Sequence, residues 1–426
     1  MPQRRWWGGQ AGAALLGLAM ISVLAPAVVV PAVAHGQPVA SPSAAPSAAP
    51  LVAPLVAPLV APRLSPPIVL VPRRTDSLPR PRGQRFYTQL PYGTESQFNP
   101  LSALLNEGFN DLVLYSTDMK LFGQPYAASW RNLVGNLRDV RGVVRFYGWN
   151  RVLRNELLPL TGAKDGGQWL PNYTDHLLGN GMVSVRLEEW YAQHGYPAPF
   201  ALSVLTMYGA HFLNEVIERP GRVSIDPLAD LLVFDPLGML LFRLDRVQRA
   251  FSGPVRMTVW SGQPVLTMPT GAIENAFTEF VTSVPVPRSR QWRAFVMTGV
   301  NVLGGLRRDV GNGEGYSLAA GAGADVVRSS DSTTDARAVN IGARAGLYYD
   351  RNGSLLWSVL YNRSRDGLLV VNLYPGVVKL GSFSPGFWFD IRPAGLRFAV
   401  VAPFGLGAGF GKGSPGLAPP IRSAAR

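Results

Sequence analysis

Two pairs of polar residues at helical spacing are the best candidates in this chain for catalytic or ligand-binding side chains. His211 and Glu215 are four residues apart, so on a helix both project from one face. Asn172 and His176 have the same spacing. A histidine beside a carboxylate is a common arrangement in general acid–base catalysis. The first question is therefore which elements carry these pairs and whether they bring them together.

Hydrophobic periodicity places both pairs in a predicted helical hairpin. The apolar residues of Thr174–Tyr191 recur at helical spacing, and the Gly-Tyr-Pro sequence at 195–197 ends that helix. A second helix is predicted over Pro199–Glu218 and ends before the Pro-Gly at 220–221. Shorter helices are predicted at Pro227–Leu232 and Met239–Ala250, separated by an Asp-Pro-Leu-Gly turn at 235–238. The two long helices are apolar around most of their circumference, so we expect them to be buried in a protein core or in lipid.

Folding this hairpin is expected to gather His176, His211, Glu215 and Asp230. Buried ionisable groups must be paired or bound, because an isolated buried charge is costly. Three interpretations stay open. The favoured one is a hydrogen-bonded polar cluster that fixes the register of the helices. The second is a catalytic His/Glu acid–base pair, supported by the other two residues, that modifies a lipid or a glycan.

The third interpretation is a metal site, since two histidines and two carboxylates could ligate zinc or iron. The H-x-x-x-E spacing of His211 and Glu215 differs from H-E-x-x-H and lacks that motif's built-in general base. We therefore assign no metal ligand and no cofactor from the sequence, and the four residues stand as a hypothetical catalytic set.

The C-terminal part of the chain predicts consecutive β-strands. Over Arg337–Tyr349 apolar and small or polar residues alternate, and the Asp-Arg-Asn-Gly sequence at 350–353 has turn chemistry. We predict strands at 292–303, 316–328, 337–349, 354–362, 367–374, 377–383, 386–391 and 395–404, with two more at 255–260 and 277–284. The alternating glycines at 405–411 are interpreted as the small-residue face of a strand rather than a phosphate loop. Eight to ten such strands would close a small barrel.

The N-terminus predicts export. Two arginines precede an apolar run that ends in Ala-Val-Ala at 32–34, which is typical of a cleaved secretory signal. A Pro/Ala/Val-rich linker follows at 35–82, where the recurring prolines predict a disordered, extended spacer. The chain has no cysteine, which excludes disulfides, thiolate metal sites and a lipidated cysteine.

The charge of the chain favours an anionic surface as partner. The formal net charge is +13, although only 16% of the residues are charged. Nucleic-acid binders usually concentrate Lys and Arg on one face, so we predict no nucleic-acid partner. For an exported protein, membrane lipid or another anionic component of the envelope is the expected partner.

The segment Asn172–Gly238 resembles an uncharacterised family of Gram-negative envelope proteins. The resemblance rests on an N…H helix, an S…E helix from Ser203 to Glu215, and an S-x-x-D-L…P-x-G segment, ahead of a β-rich C-terminal half. It covers about 70 residues. This chain departs from the family pattern at Leu177, where the family has proline, and at 239–240, where Gly-Glu is common. The resemblance implies an outer-membrane or periplasmic setting and no known reaction.

Taken together, the sequence predicts an α+β protein in which a buried helical hairpin precedes an antiparallel β-barrel of about 8–10 strands. The expected function is that of an outer-membrane-associated structural or binding protein that contacts anionic lipid. The expected location is the outer membrane, or the periplasm if the barrel is not closed. A lipid- or glycan-modifying enzyme is the first alternative, and a small transport barrel is the second. The predicted segments are a signal peptide (1–34), a disordered linker (35–82), a mixed segment of uncertain structure (83–171), the helical hairpin (172–251), an antiparallel β-barrel or barrel-like sheet (252–411) and a disordered tail (412–426).

Overall fold

The computed structural model describes most of the chain between residues 83 and 411. The described ranges are 83–114, 120–122, 124–158, 171–218, 221–268, 270–328, 337–362, 368–392 and 395–411. The predicted signal peptide, linker and C-terminal tail lie outside the described residues. An α+β architecture is confirmed within them: helices precede a large, mostly antiparallel sheet.

The first part of the described chain is helical. The segment that the sequence left as mixed, 83–171, contains helices and no named strand in its described residues. The α-helices are α1 (Gly93–Ser96), α2 (Pro100–Gly108), α3 (Asn110–Leu114), α4 (Tyr126–Arg138), α5 (Val140–Tyr147), α6 (Trp149–Arg151), α7 (Gly181–Gln193), α8 (Pro199–Glu218), α9 (Asp226–Ala229), α10 (Asp235–Arg243) and α11 (Asp245–Ser252). Three π-helical segments are π1 (Val152–Leu157), π2 (Pro171–Asn180) and π3 (Asp230–Phe234).

The predicted hairpin is present, with one change in geometry. Its first helix begins as π2 and continues as α7, and its second helix is α8. The predicted turn at 235–238 is instead the first turn of α10, where Pro236 occupies a position that needs no backbone N–H donor. One described helix, α8, is long and apolar enough to cross a membrane. It packs against α2, α4 and α7, as a core helix does.

Thirteen strands form one sheet in the order β1-β4-β5-β6-β7-β8-β9-β10-β11-β12-β13-β2-β3. Neighbours are antiparallel except β13 and β2, which are parallel. The strands are β1 (Arg256–Val259), β2 (Val265–Thr267), β3 (Ala272–Glu274), β4 (Glu279–Pro285), β5 (Trp292–Gly299), β6 (Asn301–Gly311), β7 (Glu314–Arg328), β8 (Arg337–Arg351), β9 (Ser354–Asn362), β10 (Leu369–Leu373), β11 (Gly386–Arg392), β12 (Gly395–Val401) and β13 (Gly407–Gly411).

Two Asn-Gly turns mark one end of the sheet, which we call the short-turn end. They connect β6 to β7 at 312–313 and β8 to β9 at 352–353. Asn312 and Asn352 have φ of 53° and 56°, and their glycines also have positive φ, as two-residue hairpin turns require. The turn predicted at 350–353 is therefore confirmed, and it sets the register of β8 with β9.

The predicted barrel is wrong in its closure and its strand count. The sheet has thirteen strands, and β1 and β3 are its edges, so it is not closed as a barrel. The strand expected at 377–383 is a loop with a single isolated bridge, whereas the glycine-rich segment does form β13. The sequence did not predict β2 and β3, whose three residues each are too few to show an alternating pattern.

Helices cover the gap between the two edges of the sheet. Gln97 donates hydrogen bonds to Gln263 and to the carbonyl of Ala402. The side chain of Asn106, on α2, accepts from the backbone N–H of Phe277, which precedes β4. Residues 97–106 are therefore bonded to the segments beside β2, β12 and β4 that border this gap.

The helical layer packs on the outer face of β1 and β4. Phe280 and Val284 of β4 join a core with Met182, Leu187 and Phe242 from the helices. The opposite face of the same strands packs into the interior of the curved sheet. The helices are therefore anchored to one side of the sheet. The outer face of the remaining strands has no helical layer in the described chain, although Tyr349 and Trp357 at its short-turn end pack against Leu90 and Tyr92.

The outer face over β6–β13 is apolar, while the interior of the sheet combines ion pairs with an apolar cluster. Interior positions of neighbouring strands carry ion pairs such as Arg307–Asp350 and Arg397–Glu274. Large apolar side chains stand at the outward positions and are 39–68% exposed. They are Leu306, Val310, Tyr316, Leu318, Ile341, Leu347, Tyr361, Ile391, Leu396, Phe398, Val400 and Phe410.

Candidate functional site

A carboxylate held between two histidines lies at the centre of the helical layer. Asp235 is fully buried, and its Oδ1 accepts a hydrogen bond from Nδ1 of His176 over 2.9 Å. Its Oδ2 accepts from Nδ1 of His211. The two imidazole rings meet edge to face, with centroids 5.5 Å apart. Asp235 therefore fixes the tautomer and the orientation of both rings.

Non-standard helical geometry positions two members of this cluster. His176 lies in π2 and Asp230 lies in π3. The π-helix is rare and recurs at functional sites, because its wider turn displaces a side chain from the path of an α-helix. Here it allows Nε2 of His176 to come within 3.6 Å of Oδ2 of Asp230 while Nδ1 of the same ring bonds Asp235.

Two glycines allow the segments that carry the cluster to approach each other closely. A Cβ on Gly238 would lie 2.6 Å from the carbonyl oxygen of Leu177 and 2.8 Å from that of His176. A Cβ on Gly181 would lie 2.6 Å from the carbonyl oxygen of Gly238. Only glycine lets α10 pack onto π2 and the start of α7 at this distance. Since Asp235 is one turn before Gly238, this contact places its carboxylate against the histidine.

Glu215 and Glu107 add buried carboxylates around the histidines. Glu215 is 3% exposed, on the same face of α8 as His211, and lies within electrostatic range of Asp230. Glu107, from α2, lies within electrostatic range of His211, His176 and Asp235. The cluster thus gathers groups from α2, π2, α8, π3 and α10 in one buried volume.

Burial and charge divide the carboxylates into ionised and protonated groups. Burial raises the pKa of Asp230 to about 7, although the charge of His176 opposes this shift. Burial, together with the negative charges of Glu218 and Asp230, raises the pKa of Glu215 well above its usual range. Burial therefore favours the protonated form of Glu215, and Asp230 is close to its midpoint at neutral pH.

The pKa of Asp235 is shifted in the opposite direction. Burial alone would raise its pKa, but the charges of His211 and His176 and the hydrogen bonds from both rings outweigh it and hold the pKa well below its usual range. For His176, burial lowers the pKa, but Asp230 and Asp235 outweigh that and raise it well above its ordinary value. The resting state is thus an Asp235 carboxylate that binds a protonated His176.

The structure brings together the residues that the sequence singled out. His176 and His211 share one partner, Asp230 contacts His176, and Glu215 lies on the His211 face. Whether any of them is catalytic stays a prediction. Sequence reasoning passed over Asp235, which joins the two histidines, because its Asp-Pro-Leu-Gly context was interpreted as a turn. It also missed Glu107, which precedes the hairpin and carries no spacing signal.

The cluster is closed to large molecules in this structure. The side chain of His176 is 16% exposed and that of His211 is 4% exposed. A lipid headgroup or a sugar ring does not reach both imidazoles, whereas a proton or a single ion does. The geometry therefore fits a structural or ion-binding cluster better than a substrate pocket.

A second polar region lies inside the curved sheet. It is a cavity with about 930 Å³ of space, including solvent at its mouth, lined by residues from β3 to β12. Arg397 pairs there with Glu274 and Asp390, and Asn372 bonds Gln263 and Asn275. Because these groups satisfy one another across strands, the interior is largely filled by its own polar network.

Comparison with models of known protein families, with curated proteins and with solved structures finds no match to this chain.

Proposed function

We propose that this protein is a structural or binding protein of the cell envelope whose sheet presents the outer face of β6–β13 to the hydrocarbon of a membrane. The observation that carries the proposal is the polarity of the sheet: its exposed outer face is apolar, whereas its ion pairs are buried in the interior beside an apolar cluster. A water-soluble sheet buries its apolar face, whereas a sheet in lipid exposes it and keeps its polar groups inside. The N-terminal segment predicts export, and the apolar outer face of the sheet makes the outer membrane the proposed setting.

A row of aromatic residues in register supports the proposal. Near the short-turn end, outward positions of consecutive strands carry Trp292, Tyr316, Tyr349 and Trp357, with Arg308 between the first two. The Tyr316 and Tyr349 rings are 4.8 Å apart, and those of Tyr349 and Trp357 are 6.0 Å apart. Tyrosine and tryptophan are enriched where a membrane meets water, because their rings are apolar and their polar groups need hydrogen bonds.

The distribution of charged residues fits a membrane–water interface at the level of this aromatic row. On the far side of the row from the short-turn end, the outward side chains that the structure describes on β6–β13 are all uncharged. At the short-turn end itself, the basic residues Arg288, Arg290 and Lys379 are exposed. Basic side chains just outside an aromatic row would lie at the level of lipid phosphates, so anionic lipid is the proposed partner.

Strand length limits how much of the sheet would span the bilayer. Strands β6, β7, β8 and β9 have 11, 15, 15 and 9 residues, which reaches the roughly 9–11 residues that a tilted membrane strand needs. Strands β10–β13 have 5–7 residues. The proposal is therefore that β6–β9 insert most deeply, while the shorter strands continue the apolar face at shallower depth.

The two alternative functions have less support. An enzyme that acts on lipid or glycan through His211 and Glu215 needs an accessible pair, and both side chains are buried. A transport barrel needs a closed wall and an open lumen, whereas this sheet is not closed as a barrel and has ion pairs in its interior.

Flotation with lipid vesicles tests the proposal. We expect the full chain to float with vesicles of phosphatidylcholine and phosphatidylglycerol, and the triple variant Leu318→Asp, Leu347→Asp, Phe398→Asp to lose at least about 90% of that binding. Each aspartate would have to enter hydrocarbon, which costs on the order of 2–3 kcal/mol at the centre of a bilayer. The matched control is Leu205→Asp on α8, where the side chain is 70% exposed but belongs to the helical layer.

The proposed lipid-facing surface would be contradicted if the triple variant floated as well as the wild-type protein. It would also be contradicted if Leu205→Asp reduced flotation as much as the triple variant does.

A double variant tests the contact with lipid headgroups. Arg288→Gln with Arg290→Gln should weaken flotation with vesicles that contain phosphatidylglycerol and leave flotation with pure phosphatidylcholine unchanged. Equal loss with both vesicle types would contradict the assignment of these arginines to anionic headgroups.

A further inference from the structure

We propose that His176, His211 and Asp235 bind one divalent transition-metal cation, of the zinc or iron(II) class, which joins π2, α8 and α10. This inference concerns the helical layer and is independent of the proposed contact between the sheet and lipid.

The positions of the donor atoms support the proposal. One donor atom from each of the three residues lies within 4.8 Å of the other two. Zinc binds imidazole nitrogen and carboxylate oxygen at about 2.0–2.2 Å, so donors around one tetrahedral ion lie roughly 3–4 Å apart. The separation of 2.9 Å between Nδ1 of His176 and Oδ1 of Asp235 is close to this range. A small outward movement of the donors would admit the ion.

The chemistry of the donors selects the class of metal. Two imidazoles and one carboxylate suit zinc, iron(II), cobalt or manganese, whereas calcium and magnesium prefer oxygen donors throughout. The same three donor types form the facial triad of non-haem iron sites and, with a fourth ligand, tetrahedral zinc sites. The set lies on three separate elements: glycine contacts hold π2 against α10, and the hydrogen bond from His211 to Asp235 joins α8 to α10, so the donors are positioned before any ion binds.

Buried polar atoms around the histidines provide a second, independent observation. Among the described residues, Oδ1 of Asp230, Oε2 of Glu215 and Nε2 of His211 are buried and form no hydrogen bond. Unpaired buried polar atoms are uncommon, because each costs about 1–3 kcal/mol. Asp230 and Glu215 are 6% and 3% exposed, and Glu107 is 7% exposed. A divalent cation among these carboxylates would supply positive charge that offsets their burial.

Asp230 fits the role of an outer-shell partner. When Nδ1 of His176 binds a metal, Nε2 carries the proton, and Oδ2 of Asp230 lies 3.6 Å from that nitrogen. Ligand histidines usually donate their second N–H to a carboxylate, which fixes the ring and raises its basicity. The geometry therefore supplies ligands and one orienting group, while Glu215 and Asp230 border the position for a further ligand or a water molecule.

Titration of the full chain with zinc and with cobalt(II), after treatment with EDTA, tests the site. We expect one equivalent to bind to the wild-type protein and to raise its Tm. His176→Gln, His211→Gln and Asp235→Asn should each weaken binding more than about 100-fold, and Asp230→Asn by roughly 10- to 100-fold, as expected for an outer-shell partner. His194→Gln is the control, because that histidine is exposed in the turn after α7 and should leave the affinity unchanged.

Failure to bind zinc, cobalt(II), iron(II) and manganese(II) would overturn the proposal and leave a hydrogen-bonded cluster. If His194→Gln lost as much metal affinity as the variants of the cluster, the metal would be bound elsewhere, and the proposal would also be overturned. Because substitutions in this buried cluster could prevent folding, X-ray absorption of zinc bound to the wild-type protein is the second measurement. Two imidazole ligands and at least one oxygen are expected, and a shell of oxygen alone would overturn the site.

Discussion

At the scale of single residues, buried carboxylates control the pH dependence of this fold. Glu156, in π1, is 7% exposed, and burial together with the charge of Asp230 raises its pKa to about 7. A carboxyl whose pKa is raised on folding stabilises the folded state fully below its unfolded pKa of 4.5 and loses that contribution as pH rises to about 7. The helical layer should therefore be more stable in mild acid than above neutrality.

Glu156→Gln tests this pH dependence. The variant cannot ionise, so its Tm should fall less than that of the wild-type protein as pH rises from about 4.5 to about 7. Above pH 7 it should be the more stable of the two, by an amount on the order of 3 kcal/mol at most for a shift of this size. Thermal unfolding of both proteins across that pH range is the measurement. Parallel Tm profiles would contradict the assignment of the pH dependence to Glu156.

The candidate site shows what residue spacing predicts and what it does not. The i, i+4 pair of His211 and Glu215 and the helical placement of His176 followed from periodicity, and the structure places these residues in one cluster. Asp235 was overlooked as the bridge, because Asp-Pro begins a turn as readily as it begins a helix. Which buried carboxylate faces which histidine depends on how π2 and α10 pack, and a single sequence does not encode that packing in a readable pattern.

At the scale of elements, the contact between π2 and α10 positions the cluster. Gly238 meets the carbonyl oxygens of Leu177 and His176 at distances that leave no room for a side chain. This contact also explains why the Asp-Pro-Leu-Gly sequence, predicted as a turn, begins a helix instead. The tertiary approach to π2, rather than the propensity of the segment itself, sets its conformation.

Gly238→Ala is expected to destabilise the protein by about 1–3 kcal/mol, because the added methyl group forces two packed elements apart. The control is Gly209→Ala on α8, where the position of a Cβ is open. There alanine should stabilise the helix by about 0.5–1 kcal/mol through its lower backbone entropy in the unfolded chain. Urea unfolding of both variants measures the two effects. A Gly238→Ala protein as stable as the wild type would contradict the close packing of α10 on π2.

Helices and strands were predictable from the sequence where the hydrophobic pattern was long and regular. The alternation over Arg337–Tyr349 and the helical period of Pro199–Glu218 predicted β8 and α8 nearly to their ends. The short strands β2 and β3 were missed, and 377–383 was wrongly predicted as a strand. An apolar run of seven residues has the composition of a strand, but it becomes one only when a neighbour is available for pairing.

At the scale of the whole molecule, the sequence indicated sheet and helices but not how the sheet ends. Alternation specifies which residues share a face, and it led to the expectation of a closed barrel of eight to ten strands. The structure has thirteen strands and two edges, with the gap covered by residues 97–106. Closure depends on pairing between strands that are distant in sequence, so local patterns do not determine it.

The central claim at this scale is that the outer face of β6–β13 contacts lipid. The absence of cysteine from the chain makes single-cysteine labelling direct. A polarity-sensitive fluorophore would be attached at Leu318→Cys, Leu347→Cys and Phe398→Cys on the outer face, and at Leu205→Cys on the helical layer. Doxyl-labelled lipids, which quench fluorophores in hydrocarbon, would then be added to the protein in vesicles.

The account predicts strong quenching by acyl-chain doxyl groups at the three sheet positions and none at Leu205→Cys. Leu347, which lies two residues from Tyr349 in the aromatic row, should be quenched best by the doxyl group nearer the headgroup. A lipid-facing sheet would be contradicted if the fluorophores at all three sheet positions showed the emission of an aqueous environment and were not quenched.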